Sequence, residues 1–348
     1  MTAPSLVTVT AYGRGAGSAR VRVFDWVDHL GIDARSISYL DTSRLNARTL
    51  LASPAAVMHA EAKLRRASNV KSESPLLLSR QASPFSNGGI ERALLSRSAR
   101  GIYDFDDALF AHPVSSRERL WSKRKTWGAA VRSADLVIAG NDYLAGAAEG
   151  FAREIVVIPS CVDPDAYPSK YDYALSGPPR AVWLGSPSTE HYLTLISAPL
   201  LELNRTRGLR LTIISAGAAP LGNLSGMVDR VQWSPERATS SMAAADVGIM
   251  PLDDTSWSRG KCAYKLLQYG ACGLPMVGSP VGANSDVLRA AGAPAPVSAE
   301  EWVGALEEVL DAPASAREGA GHRAKAVVRD LYSFQAWAPT WRSAVGLT

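Results

Sequence analysis

No apolar run in this chain of 348 residues is long enough to cross a bilayer as a helix. Cysteine is scarce as well. Cys161, Cys262 and Cys272 stand too far apart for a disulfide framework or a zinc pattern. The first residues, MTAPSLVTVTAYG, lack the basic start and apolar stretch of a secretory leader, so the expected compartment is the cytoplasm. Aromatic residues make up only 7% of the chain. Apart from Trp121 and Trp127 none is interleaved with the basic runs, so no nucleic-acid partner is expected. What is present is an ordinary globular balance, 47% apolar and 20% charged, in a chain long enough for two domains with their own cores.

The net charge of +4 is unevenly spread. Through Lys170 the chain has 22 Lys and Arg against 17 Asp and Glu, and the remainder has 15 against 16. The excess is concentrated in residues 63–66, 92–100 and 117–132. Such a face is either simply solvated or meets phosphorylated ligands or anionic lipid headgroups, which raises peripheral membrane contact as an expectation.

Residues 6–12 (LVTVTAY) form a β-branched run predicted as a strand, and Gly13, Gly15 and Gly17 follow as GxGxG. Helical spacing over 18–30 completes the opening of a βα unit, without the GxGxxG dinucleotide fingerprint. This turn reads as a loop that lets a ligand approach closely, with Arg14, Arg20 and Arg22 near its rim. A tight turn with surface arginines is the alternative. Further strands are expected at 37–40, 76–78, 135–139 and 155–158. Helices are expected at 50–66, 90–98 and 117–134, and from an Asn141-Asp142 cap to residue 150.

Residues 101–110, GIYDFDDALF, run from a short strand into Asp104, Asp106 and Asp107, with His112 just beyond. Carboxylates this close repel unless a cation, an arginine or helix N–H groups relieve them. Asp104 and Asp106 could form an Asp-x-Asp metal site. A phosphohydrolase motif would need a threonine where Ala108 stands. The stretch could also line a cleft with an Asp or His near a reacting group, or Asp106 or Asp107 could simply cap a helix.

After a polar linker over 169–177 the pattern restarts, with strands at 180–184, 209–215, 231–233 and 246–251 and helices at 192–205 and 236–244. Residues 258–282 read SRGKCAYKLLQYGACGLPMVGSPVG. A helix is predicted there with Cys262, Leu266, Leu267 and Ala271 on one face, stopped by Gly273 in the left-handed conformation and by Pro275. Lys261 and Lys265, four apart, are expected to share a face near its start, where unpaired N–H groups favour an anion. Solvated lysines on a packing helix are the alternative. Helices over 300–310, 314–332 and 334–345 close the chain. Two βα domains in tandem predict a ligand cleft lined by loops at the carboxyl ends of the strands.

The stretches YDFDDALF, ADLVIAGNDYLA, IVVIPSCVD, WLGSPSTEHYL, DVGIMPL and GKCAYKLLQYGACGLPMVGSPVG occur in the order seen in GT-B glycosyltransferases. The chain resembles the family-4 retaining enzymes of that fold. The resemblance implies an α/β protein of two Rossmann-like domains facing each other across a cleft. The acceptor domain would span 1–168 and be completed by a C-terminal helix over 333–348, and the nucleotide-sugar domain would span 178–332. It implies transfer of a sugar from a UDP- or GDP-sugar to a saccharide, natural-product or lipid-linked acceptor, with retention and with no metal or other cofactor.

Carried onto this sequence, the resemblance implies that Gly185 and Ser186 offer N–H groups to the donor diphosphate and that Trp233 lies by the base. Lys261, Cys262 and Ala263 would cover the phosphates or donor sugar, Lys265 would add charge, and Gln268 would meet the ribose diol. Gly15 and Gly17 would lie beside the donor phosphates. Arg14, Arg20 and Asp106 would face the acceptor, and Asp107, His112 and Lys261 are the implied catalytic residues. Two departures stand out. Gly260 and Gln268 occupy the positions of the family's Glu-x7-Glu pair, and Ser188, Thr189 and Glu190 stand where an Arg and a Lys are usual. A neutral amide holds a diol less strongly than a carboxylate. The competing expectation is therefore a catalytically silent protein that binds nucleotide sugars or a partner.

Overall fold

The computed structural model describes residues 4–42, 47–112 and 119–347. The start of the helix expected over 117–134 lies outside them. The chain forms two compact units: Met1–Cys161, Arg259–Cys262 and Trp337–Thr348 make the first, and Val162–Ser258 and Ala263–Ala336 the second.

In the first unit, β1 (Leu6–Thr10), β2 (Ala34–Ser38), β3 (Leu76–Ser79), β4 (Gly101–Phe105), β5 (Leu136–Ala139) and β6 (Ile155–Val157) form one sheet in the order β2-β1-β3-β4-β5-β6. Every pairing is parallel. The four central strands are buried along their whole length, as their nearly unbroken apolar sequences require when helices cover both faces. The winding reverses between β1 and β3, so the turns that leave those strands open a crevice at their carboxyl ends.

The helical stretch after β1 is interrupted. Residues Gly17–Ala19 and Asp25–His29 are α-helical, and Arg20–Phe24 between them is a π-helix. Within this wider turn Arg22 is only 1% exposed, so it is a core residue and not a rim residue. Trp26 stacks on Trp341 of the last helix, Phe334–Ala344, with ring centroids 5.2 Å apart. The helix expected over 50–66 is two helices, Ala47–Ala52 and Pro54–Asn69, because Pro54 cannot continue a helix but fits the first turn of the next.

In the second unit, β7 (Arg180–Leu184), β8 (Arg210–Ser215), β9 (Val228–Gln232), β10 (Val247–Met250) and β11 (Met276–Gly278) form a parallel sheet in the order β11-β10-β7-β8-β9. Its reversal lies between β7 and β10. Alternation along β7 fills both faces: Val182 and Leu184 join one core with Leu266 and Val328, and Ala181 and Trp183 join the other with Leu200 and Trp302. The helix expected over 192–205 is a 3-10 segment, Pro187–Ile196, followed by an α-helix, Ser197–Arg207. Pro199, which has no N–H to give, sits in the first turn of that α-helix, where none is needed. Among the described residues no helix is long and apolar enough to cross a membrane.

Candidate functional site

In the first unit the polar residues gather where β1, β3 and β4 end. Arg80, the residue after β3, has φ +65, a conformation that side chains rarely adopt outside functional or strained turns. Its carbonyl accepts from the Tyr103 hydroxyl at 2.9 Å, and its Nη1 donates to Ser18 Oγ at 2.8 Å, across the reversal of the sheet. The same Nη1 lies 2.8 Å from Asp107 Oδ2 and 3.6 Å from Asp106 Oδ1. Lys261 Nζ reaches the other oxygen of Asp107 at 2.6 Å. Burial alone would raise the Asp107 carboxyl, but Lys261 and Arg80 outweigh it and hold the group below its ordinary range. Asp107 is thus an ionised anchor between two cations.

Asp104 does something else. Arg22 Nε lies 3.2 and 3.1 Å from its two oxygens and Nη2 2.6 Å from Oδ2, and Arg22 Nη1 donates to the Ile158 carbonyl at 2.8 Å. Both side chains are 1% exposed. The Asp-x-Asp metal reading therefore loses its first carboxylate to an internal ion pair. Among the described residues no group of three or more His, Cys, Asp and Glu side chains is placed to hold a metal ion. His112 Nε2 lies 2.7 Å from Lys123 Nζ. An ammonium can only donate, so in this contact the ring nitrogen accepts.

The segment Arg259–Cys262 is held in this unit by Asn141, whose Nδ2 donates to the Lys261 carbonyl at 3.1 Å. Cys262 Sγ donates to the Asp106 carbonyl at 3.4 Å, and burial pushes the thiol well above its ordinary pKa. Arg14 and Arg20 turn towards their own helix. Arg14 pairs with Asp28 and lies 4.7 Å from the centroid of the Phe24 ring, and Arg20 pairs with Asp25 at 3.2 Å. Gly15 is exposed, and a side chain at Gly17 would meet only open space.

The helix in 258–282 runs only from Tyr264 to Ala271. Ala263, at φ +53, breaks the helical path before it. Two expectations are corrected by this. Cys262 is not on the apolar face of the helix, and Lys261 and Lys265 do not share one. Gly273 has φ +69, the left-handed stop read from the sequence.

In the second unit Lys265, in the helix's first turn, lies with Nζ 5.3 Å from the centroid of the Trp183 ring. Gly185 is packed against the same ring: a Cβ there would stand 2.3 Å from Trp183 Cη2. Ser186 Oγ is 2.9 Å from Ser188 Oγ and 3.3 Å from Thr189 Oγ1. Tyr192 Oη meets Ser258 Oγ at 3.0 Å, and Ser258 donates to Asp253 beyond β10, which ties together the turns on either side of the reversal. Gln268 Nε2 donates to the Tyr167 hydroxyl at 3.3 Å. Trp233, just after β9, is 39% exposed, and its amide donates to the Ser215 carbonyl at 3.1 Å. Glu190 is fully buried and paired with Arg230 at 3.0 Å. The structure thus brings Gly185, Ser186 and Lys265 to one sheet edge, and Asp106, Asp107, Lys261 and Cys262 to another.

Sequence reasoning missed Arg80 and the role of Arg22. The signal was an arginine directly after LLLS and another inside the apolar VRVF.

Residues 178–312 match the family described as Glycosyl transferases group 1. Among curated proteins none matches the chain. Among solved structures it is similar to sucrose-phosphate synthase from Thermosynechococcus elongatus, at TM-score 0.70 and 13% identity over 99% of this chain and 100% of that one. It is also similar to Anabaena HepE in complex with UDP and glucose, at TM-score 0.69 and 13% identity over 99% and 100%. A third is an alpha,alpha-trehalose-phosphate synthase (UDP-forming) from Burkholderia vietnamiensis, at TM-score 0.65 and 13% identity over the whole of both chains.

Proposed function

We propose that this chain, a glycosyltransferase of the GT-B fold, moves a sugar from a UDP-sugar to an acceptor bound by its first unit, with retention and without a metal. The observation that carries the reading is a coincidence on the second unit. The residues that match the family enclose the edge where the Gly185–Ser186 turn, Trp183 and Lys265 meet. As the nucleoside diphosphate leaves, negative charge grows on its phosphate oxygens. The Gly185 amide donates to the Ile214 carbonyl at 3.0 Å and is not available for this, so the Ser186 amide and the Lys265 ammonium would stabilise that charge, with no metal required. Gln268 gives its N–H to Tyr167, so its amide oxygen would accept from a ribose hydroxyl. UDP is favoured over GDP because the similar HepE structure holds UDP and glucose.

Within this reading Asp107 acts as a fixed negative charge, since a carboxylate held below its ordinary pKa is a poor proton acceptor. His112, held through Nε2 by Lys123, would contact the sugar. The reading includes peripheral contact with an anionic membrane. The helices Pro54–Asn69, Gly89–Ser96 and Lys123–Ser133 are neighbours in the first unit and carry the exposed Lys63, Arg66, Arg92, Arg124 and Lys125.

Calorimetric titration with UDP and GDP tests the donor. UDP should bind more tightly, and Lys265→Ala should weaken it about tenfold or more, the scale of one charge-assisted contact. If neither nucleotide binds, the reading fails. Retention is checked by the anomeric proton coupling of the product, and metal independence by unchanged turnover in a chelator.

A further inference from the structure

The first unit holds a groove of about 550 Å³ that the donor chemistry does not use. It is lined by Phe85, Trp121 and Ile90 and by the polar Glu61, Arg65 and Asn87. Phe85 and Trp121 meet edge to face, with centroids 5.0 Å apart and planes at 74°.

Buried polar groups fix the loop that carries Phe85. The fully buried Glu91 carboxylate accepts from the amides of Ala82 at 2.9 Å and Ser83 at 3.4 Å and from the Ser86 hydroxyl. Ser86 Oγ in turn accepts from the Gly88 amide at 2.9 Å. Asn87 then clasps the second loop on both sides of Trp121. Its Nδ2 donates to the Leu120 carbonyl at 2.9 Å, and the Ser122 amide donates to its Oδ1 at 2.8 Å. A buried carboxylate is costly unless its oxygens are filled. Here it is filled by the loop whose outward product is the aromatic pair. That is preorganisation, which lowers the cost of binding.

The groove is also tied to the polar cluster at both ends. The chain enters its first loop from Arg80, which holds Asp107, and leaves Trp121 for Lys123, which contacts His112.

We propose that this groove binds a neutral saccharide as the acceptor, one pyranose ring lying with its C–H face on Trp121 and Phe85 and its hydroxyls bonded to Glu61 and Arg65. A pyranose offers an apolar face edged by hydroxyls, which matches two aromatic rings beside an acid and a base one helical turn apart. Glu61 Oε1 already accepts from the Ser83 hydroxyl, so a flat aromatic aglycone would use the rings but leave the second Glu61 oxygen and Arg65 without the hydroxyl partners a pyranose offers. An anionic acceptor would place its charge against Glu61. The inference rests on the glycosyl-transfer reading, since that reading makes the saccharide an acceptor.

Saturation-transfer NMR on the full chain, with methyl glucoside, methyl mannoside, maltose and cellobiose as probes and phenol as the flat control, tests it. At least one saccharide should show saturated ring-face protons. Trp121→Ala should lower that signal about tenfold, as for a lost stacking contact, and Glu61→Gln and Asn87→Ala should lower it less. Trp121→Phe, which keeps a ring, should retain it. UDP binding by calorimetry should be unchanged in all four variants. Saturation that survives Trp121→Ala, signal from phenol alone, or silence from every saccharide overturns the proposal. If saccharide binds while UDP does not, the donor reading fails and the groove stands as a saccharide site.

Discussion

Asp104 and Asp107 sit three positions apart and are held by cations in different ways, so their predictions rest on different causes. The Arg22–Asp104 pair is sealed from water, and removing one partner strands a buried charge. Asp104→Asn should therefore cost about 3–5 kcal/mol of unfolding free energy, measurable by urea titration. Asp107 is also buried, but Lys261 and Arg80 hold its folded pKa below the unfolded value of about 4. Its contribution to stability is complete above that unfolded value and is lost as the pH falls through the folded pKa. Asp107→Asn should thus lower the melting temperature at neutral pH, and the gap from wild type should close in acid. A gap that stays constant down to about pH 2.5, below most carboxylate pKa values, would show that the carboxylate charge does not matter there.

At the scale of elements, the strands were legible because each is an apolar run bounded by turn residues, the mark of a parallel sheet covered on both faces. Breaks in helices were less legible. Pro54 and Pro199 could have been read as first-turn prolines, but nothing in RVRVF announces a π-helix. The left-handed conformations of Arg80 and Ala263 were not legible either, since neither residue type favours positive φ. The Lys265–Gly185 side of the site follows from local motifs, whereas Arg22 meets Asp104 across 82 positions, a pairing that spacing cannot show. Gly185 makes the element-scale prediction. Its absent side chain lets the turn after β7 close on Trp183, which is 1% exposed and cannot swing away freely. Gly185→Ala should destabilise the fold by about 1–3 kcal/mol through overpacking. It should also weaken UDP binding, because the amides of the same turn move. Urea unfolding and calorimetry on one sample check both. Weakened binding with unchanged stability would mean that the glycine serves the ligand and not the packing.

For the molecule as a whole, the charge asymmetry gains meaning from topology. Residues of three basic runs far apart in sequence, among them Lys63, Arg66, Arg92, Arg124 and Lys125, lie on three neighbouring helices of the first unit. Each Lys or Arg near an anionic bilayer contributes about 1 kcal/mol, so four or five acting together give measurable attachment without any apolar anchor. That attraction fades over a Debye length of about 8–10 Å at physiological salt. The chain should therefore sediment with phosphatidylglycerol-containing vesicles at about 50 mM salt, stay in solution with pure phosphatidylcholine, and be released at about 500 mM, where screening is stronger. Reversing four exposed charges (Lys63→Glu, Arg66→Glu, Arg124→Glu and Lys125→Glu) should abolish sedimentation and leave the affinity for UDP unchanged, since none of the four lies in the second unit. If the reversed protein still sediments, attachment uses another surface. If the wild-type chain never sediments with anionic vesicles, the basic helices form a solvated face, and the acceptor arrives from solution.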